Sequence, residues 1–210
     1  MKGILNLLKK VGTLKEKPRR GWVIHGIDNP ETTAEHIFHT TFLVWIIGKR
    51  KDIDLERAIK MALIHDICEV YAPDITPSDT KGLSEENIER NEILHEKLNK
   101  GYPTTEQRKK METIKKNLEN DAMGKLLEGT EGDLEKEVWD LWNEYEGMVT
   151  PESKFVKQVD RIINLFQGLE YHKEYENIEY ELWIKRAKEV IDDPDLLKLL
   201  EEIERDISEK

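Results

Sequence analysis

His65 and Asp66 sit side by side inside an apolar run, Met61-Ala-Leu-Ile-His-Asp-Ile-Cys-Glu-Val70. Burying an imidazole and an ionised carboxylate there without partners would cost several kcal/mol. A divalent cation accepts both at once. Two further residues of ligand type complete a set of four: His36 in Ala34-Glu-His36, and Asp160 in Gln158-Val-Asp-Arg161. Mixed imidazole and carboxylate donors suit Mn, Fe, Co, Ni or Zn better than Ca or Mg. Taken singly, each residue has a plainer reading, because a lone histidine on an apolar helix face is more often a hydrogen-bonded core residue. The conjunction of three distant segments is what argues for a metal. His39, one turn beyond His36, competes as a ligand, although a place beside the site or on the surface is the simpler expectation.

These residues need elements to hold them, and the chain reads as helix after helix. A short amphipathic helix is predicted over about 3–13. Pro18 and Gly21 break the following stretch, Lys17-Pro-Arg-Arg-Gly-Trp22, into a loop. Thr32-Thr-Ala-Glu35 has the form of a capping box, which starts a helix to about Gly48 and puts His36 in its first turn. Asp54 caps a helix over about 55–71, stopped by Pro73. On it His65 and Glu69 would share a face at i, i+4, continuing the stripe of Leu55, Ala58 and Ala62. Asp74 to Asp79 reads as a polar loop, with Asp79 as a turn or cap residue. Helices follow from Ser84 to about Lys100, from a second capping box at Thr104 to about Glu128, and through Trp139 and Trp142. Thr150-Pro151 and Asp193-Pro194 pair an N-cap with proline at N1; the first opens a helix to about His172, on which Asp160 faces inward between Val156 and Ile163.

Only 12 glycines and 7 prolines in 210 residues, with Leu, Ile, Glu and Lys dominant, agree with an all-α fold. The length suits one domain with a substantial core, with about 83–148 as a possible helical insertion. The 33 basic and 44 acidic residues leave a net charge of −11, which repels a nucleic-acid polymer. A small phosphorylated ligand needs only a metal and a few cations. The single cysteine, Cys68, cannot close an intramolecular disulfide, and no basic neighbour activates it. With no run long enough to span a membrane and too short an apolar stretch at the N-terminus for a signal peptide, the expected location is the cytoplasm. Trp139, Trp142 and Trp183 read as helix-packing residues.

Four stretches resemble the 5′-deoxynucleotidase subgroup of the HD-domain metal-dependent phosphohydrolases. Arg19-Arg-Gly-Trp22 is similar to the family's Arg-x-Gly-Trp. Pro30-Glu-Thr-Thr-Ala-Glu-His36 is similar to its segment of glutamate, spacer, acidic residue and histidine. His65-Asp-Ile-Cys-Glu69, followed by Asp74-Ile-Thr-Pro77, matches the block His-Asp-x-x-Glu-x4-Asp-[Ile/Leu]-x-Pro, the most specific of the four. Val159-Asp-Arg161 supplies the late aspartate. The likeness covers roughly residues 15–80 and the neighbourhood of Asp160. The 93 residues between Asp66 and Asp160 exceed what the family leads one to expect. The resemblance implies His36, His65, Asp66 and Asp160 as metal ligands. It implies Glu69 and Asp74 as catalytic carboxylates that also reach the metal or its waters. Arg19 (with Arg20 as the alternative), Trp22, Ile75, Thr76 and Pro77 would contact substrate, the Asp74–Pro77 loop closing over it. It also implies a homo-oligomer, a dimer.

The activity expected from this resemblance is metal-dependent hydrolysis of a deoxyribonucleoside 5′-monophosphate to deoxynucleoside and phosphate. Glu69 would orient or deprotonate the attacking water and Asp74 would protonate the departing 5′ oxygen, two roles that could be exchanged. Trp22 against the sugar would exclude a ribose 2′-OH. A first rival keeps the site but takes a dNTP or a cyclic nucleotide; a triphosphate asks for more cations than Lys17, Arg19 and Arg20 offer. A second rival is a non-catalytic helical protein with a structural metal. Structural sites are coordinatively closed, whereas catalytic ones keep a position for water, and the extra carboxylates Glu69 and Asp74 favour the open kind.

Overall fold

A computed structural model describes residues 1–74, 105–130, 132–175 and 180–208. Every regular element among them is helical, so the fold is all-α. The chain divides into two compact units, Met1–Pro30 with Ile67–Thr130, and Glu31–Asp66 with Glu131–Lys210.

In the first unit, α1 (Lys2–Gly12) runs into a 3-10 turn at Thr13–Glu16, and α2 (Arg20–Ile24), a second 3-10 turn at Ile67–Val70 and α5 (Thr105–Leu127) complete it. Leu14, Trp22, Ile67, Cys68, Met123, Leu126 and Leu127 form its core. Lys10 on α1 donates to the carbonyls of Lys125 (2.8 Å) and Leu126 (3.1 Å), placing a cation on the negative end of α5. Gly129, at φ +81°, follows that helix end in the left-handed conformation that favours glycine.

The second unit holds α3 (Thr33–Gly48), α4 (Leu55–Ile64), α6 (Gly132–Gly147), α7 (Pro151–His172), α8 (Tyr180–Val190) and α9 (Pro194–Ser208). α7 is its axis and packs against each of the other five. Val44, Ala58, Met61, Ala62, Trp142, Val156, Val159, Ile162, Leu196 and Leu200 make its buried interior. Four of the caps read from sequence are formed among the described residues. Thr32 accepts from the Glu35 amide at 3.2 Å while Glu35 accepts from the Thr32 amide at 2.8 Å. Asp54 accepts from Arg57 N, Thr150 from Ser153 N, and Asp193 from Asp195 N and Leu196 N. No described helix is long and apolar enough to cross a membrane.

Three expectations are corrected. The helix expected over 55–71 ends at Ile64. The His65 ring takes the Ala62 carbonyl at 2.7 Å, and the chain tightens into the 3-10 turn, where Tyr71 N and Ala72 N share Cys68 O. The i, i+4 relation between His65 and Glu69 therefore does not hold. The stretch after Pro18 is a short helix, because Trp22 supplies a buried anchor that outweighs Gly21. α8 had no predicted counterpart, although Tyr180, Trp183, Ile184 and Ala187 stand at i, i+3, i+4 and i+7. The expected helix Ser84–Lys100, the cap at Thr104 and Asp79 lie outside the described residues.

Candidate metal centre

His36, His65, Asp66 and Asp160 come together inside the second unit. The capping box that starts α3 sets His36 in its first turn, wholly buried. The end of α4 presents His65 and Asp66, and the middle of α7 presents Asp160. Ligand atoms of His36, His65 and Asp160 all lie within 4.8 Å of one another. His36 Nε2 is 3.0 Å from Asp160 Oδ1, 3.8 Å from Asp66 Oδ2 and 3.5 Å from the Thr40 hydroxyl. The two imidazoles meet edge to face with centroids 5.3 Å apart, and Tyr145 of α6 packs on His65 from another side at 5.5 Å.

The donor chemistry fits a divalent ion. His65 donates Nδ1–H to the Ala62 carbonyl, which leaves the lone pair on Nε2. That nitrogen is buried, makes no hydrogen bond among the described residues, and stands 3.3 Å from Asp66 Oδ2. A lone pair facing a carboxylate is favourable only with a proton or a cation between them. The electrostatics agree. Burial opposes an imidazolium at His65, yet the nearby carboxylates of Asp66 and Asp160 outweigh it and raise its pKa above the ordinary value. Burial likewise opposes charge on Asp160, but the hydrogen bond from His36 and the neighbouring imidazoles hold its carboxyl well below the usual range. These residues would hold a divalent ion of the kind that mixed imidazole and carboxylate donors bind.

Three supporting residues went unassigned in the sequence reading. Asn164, one turn after Asp160, donates to Asp160 Oδ1 at 2.8 Å and to its carbonyl at 2.9 Å; the i, i+4 spacing was the available signal. Glu31, just ahead of the capping box, is 5% exposed and approaches Nδ1 of His36. The Tyr171 hydroxyl accepts from the Glu31 amide at 2.6 Å. His39 is 41% exposed at its side chain and stands outside the ligand cluster.

The remaining candidates belong to the first unit. Arg19 Nη1 donates to Glu69 Oε1 at 3.3 Å, with both side chains largely buried. Lys17 binds the carbonyls of Glu69 and Ala72, the latter at 2.7 Å. The Arg20 amide donates to Asp74 Oδ2 at 2.9 Å. The segment bearing Arg19 is thus tied through three residues, Lys17, Arg19 and Arg20, to the segment bearing Glu69 and Asp74. Trp22 is 3% exposed and Cys68 is buried in the same core. Ile75, Thr76 and Pro77 lie outside the described residues.

A family model for the HD domain matches residues 11–199. The 5′-deoxynucleotidase of Xenopus laevis is 33% identical over 82% of this chain and 71% of its own. That of Homo sapiens is 30% identical over 85% and 71%. Among solved structures, a conserved hypothetical protein from Pyrococcus furiosus superposes with a TM-score of 0.68 at 25% identity, covering 96% of this chain and 99% of that one.

Proposed function

The chain belongs to the HD-domain family, and from that membership and its likeness to the 5′-deoxynucleotidases we propose that it hydrolyses deoxyribonucleoside 5′-monophosphates. The enzyme is a phosphoric monoester hydrolase and works with a divalent metal. The observation that carries this is the cluster of His36, His65 and Asp160, with the Asp66 carboxylate beside both imidazoles and facing the buried Nε2 of His65. We assign those four residues as ligands, with Mn, Co, Ni, Zn or Fe as the ion. When bound, the ion supplies charge that stabilises the phosphoryl group and makes water acidic enough to attack.

The other roles follow the resemblance. Glu69 takes a proton from the attacking water as its oxygen bonds to phosphorus. Asp74 delivers a proton to the 5′ oxygen as the phosphorus–oxygen bond breaks; the alternative assignment exchanges the two roles. Both carboxylates are further assigned contacts with the metal or its waters. Arg19, Trp22, Ile75, Thr76 and Pro77 are the substrate contacts, Arg19 being supported by its place beside Glu69. The family match spans stretches of both units, so we treat the chain as one catalytic domain working in the cytoplasm. The test is phosphate release from each dNMP and its NMP counterpart, alongside dNTPs and cyclic nucleotides. Preferential release from dNMPs supports the assignment; release from triphosphates or cyclic nucleotides alone replaces it.

We further propose that two copies associate through α3. In a chain with 37% charged residues, this helix carries one carboxylate and no lysine or arginine. Phe38, Phe42, Trp45 and Ile46 are exposed along it, beside Leu63 of α4. Phe38 stacks on Phe42, and Phe42 meets Trp45 edge to face, both at 6.0 Å. These side chains expose on the order of 500 Å² per copy, more than isolated surface residues contribute. Two copies would bury about 1,000 Å², the floor for a specific interface. A partner of opposite charge would be met by charged residues here; an uncharged face suits a second copy of a chain at −11.

A further inference from the structure

Glu31 immediately precedes the cap of α3, and 5% of it is exposed. A carboxylate held so far from water is costly to keep unless it meets donors. Its Oε2 lies 3.9 Å from Nδ1 of His36, and its Oε1 lies 3.9 Å from Nδ1 of His39. Its backbone N–H donates to the Tyr171 hydroxyl at 2.6 Å. Tyr171 is on α7, the helix that carries Asp160, so one element carries a ligand and holds the backbone of Glu31. His36 turns Nε2 toward Asp160 and Asp66, which leaves its other nitrogen toward Glu31.

An imidazole that binds a cation through Nε2 must carry its proton on Nδ1. A carboxylate at that position fixes the ring's tautomer and orientation and makes Nε2 a better donor. The present 3.9 Å exceeds a hydrogen bond, and a contraction of about 1 Å would close it. We propose that Glu31 is a positioning residue for the metal centre, accepting the Nδ1–H of His36 so that Nε2 is aimed at the ion. The inference rests on the metal reading given above. His39 shares the carboxylate but lies outside the ligand cluster, which makes it the control.

The test titrates Co²⁺, whose visible absorption reports its ligand set, into metal-stripped full-length protein. Glu31→Ala should bind Co²⁺ about 10–100-fold more weakly than wild type. Glu31→Gln keeps an acceptor and should recover most of that loss, and His39→Ala should bind as wild type does. In a His36→Ala background, adding Glu31→Ala should weaken binding no further, because the two act as one unit. Glu31→Met, of similar volume without a comparable acceptor, should behave like Glu31→Ala and serves if the smaller residue unfolds the protein. Wild-type affinity in a folded Glu31→Ala or Glu31→Met variant would overturn the proposal. So would an undiminished loss in the His36→Ala background, or failure of both variants to fold, since either makes Glu31 a structural residue. If wild type itself takes up no Co²⁺, the metal reading fails; if it does and the Glu31 variants match it, only this inference fails.

Discussion

At the scale of single residues, the electrostatics of His65 set how metal uptake depends on pH. Burial opposes an imidazolium there, but Asp66 and Asp160 outweigh it and raise the pKa above the ordinary imidazole value, so the ring keeps its second proton to a higher pH. Metal uptake must displace that proton. Affinity for Co²⁺ or Mn²⁺ should therefore fall as pH drops through the neutral range, and the fall should begin above the pKa of a free imidazole; a flat profile in isothermal titrations would contradict the assignment of His65. The role proposed for Glu69 can be tested apart from the four residues of the cluster. Glu69→Gln should lower turnover about 10²–10⁴-fold while the protein still takes up metal, and full turnover in that variant would remove Glu69 from its role. Trp22 is the least legible of these residues. It is buried in the core of its unit, and a short helix forms around it where Gly21 predicted none.

At the scale of elements, Glu144 joins three helices. It lies on α6, accepts from Arg57 Nε of α4 at 2.8 Å and from Arg57 Nη2, and accepts from the Thr150 hydroxyl, the cap of α7, at 2.6 Å. The hydrogen bond from Arg57 is the main reason its carboxyl is held below the usual value, against the opposing effect of burial. A depressed carboxyl adds stability that is present above its unfolded pKa and lost as pH falls through the folded one. Thermal melts should thus show the second unit weakening on the acid side of that range. Arg57→Ala should cost about 1–3 kcal/mol near neutrality and make the acid-side loss smaller. Equal stability of variant and wild type would show that the clamp contributes nothing. Helix starts such as Thr32, Asp54, Thr150 and Asp193 were legible because a cap is a local bargain between one side chain and its own amides. The end of α4 was not, because it depends on the His65 ring reaching back to Ala62. Nor was the clamp at Glu144, whose partner Arg57 lies 87 residues away in sequence. His36, His65, Asp66 and Asp160 could be nominated from residue type and motif; Glu31 and Tyr171 acquire meaning only once α3 and α7 are adjacent.

At the scale of the whole molecule, the apolar face of α3 predicts self-association. Phe42→Glu places a charge amid Phe38, Trp45 and Leu63, and should convert a dimer to a monomer in light scattering without lowering helix content. A monomeric wild type would contradict the interface. The net charge of −11 predicts no retention on nucleic-acid polymers at physiological salt. The central claim is that the four-residue cluster holds an ion without which no phosphate is released. It is tested most directly by stripping the purified protein of metal and following phosphate release from a deoxyribonucleoside 5′-monophosphate as Mn²⁺ or Co²⁺ is restored. We predict that release returns with added ion in wild type and stays absent in a folded Asp66→Ala variant. Release that persists in the stripped protein, or that Asp66→Ala leaves intact, would contradict it.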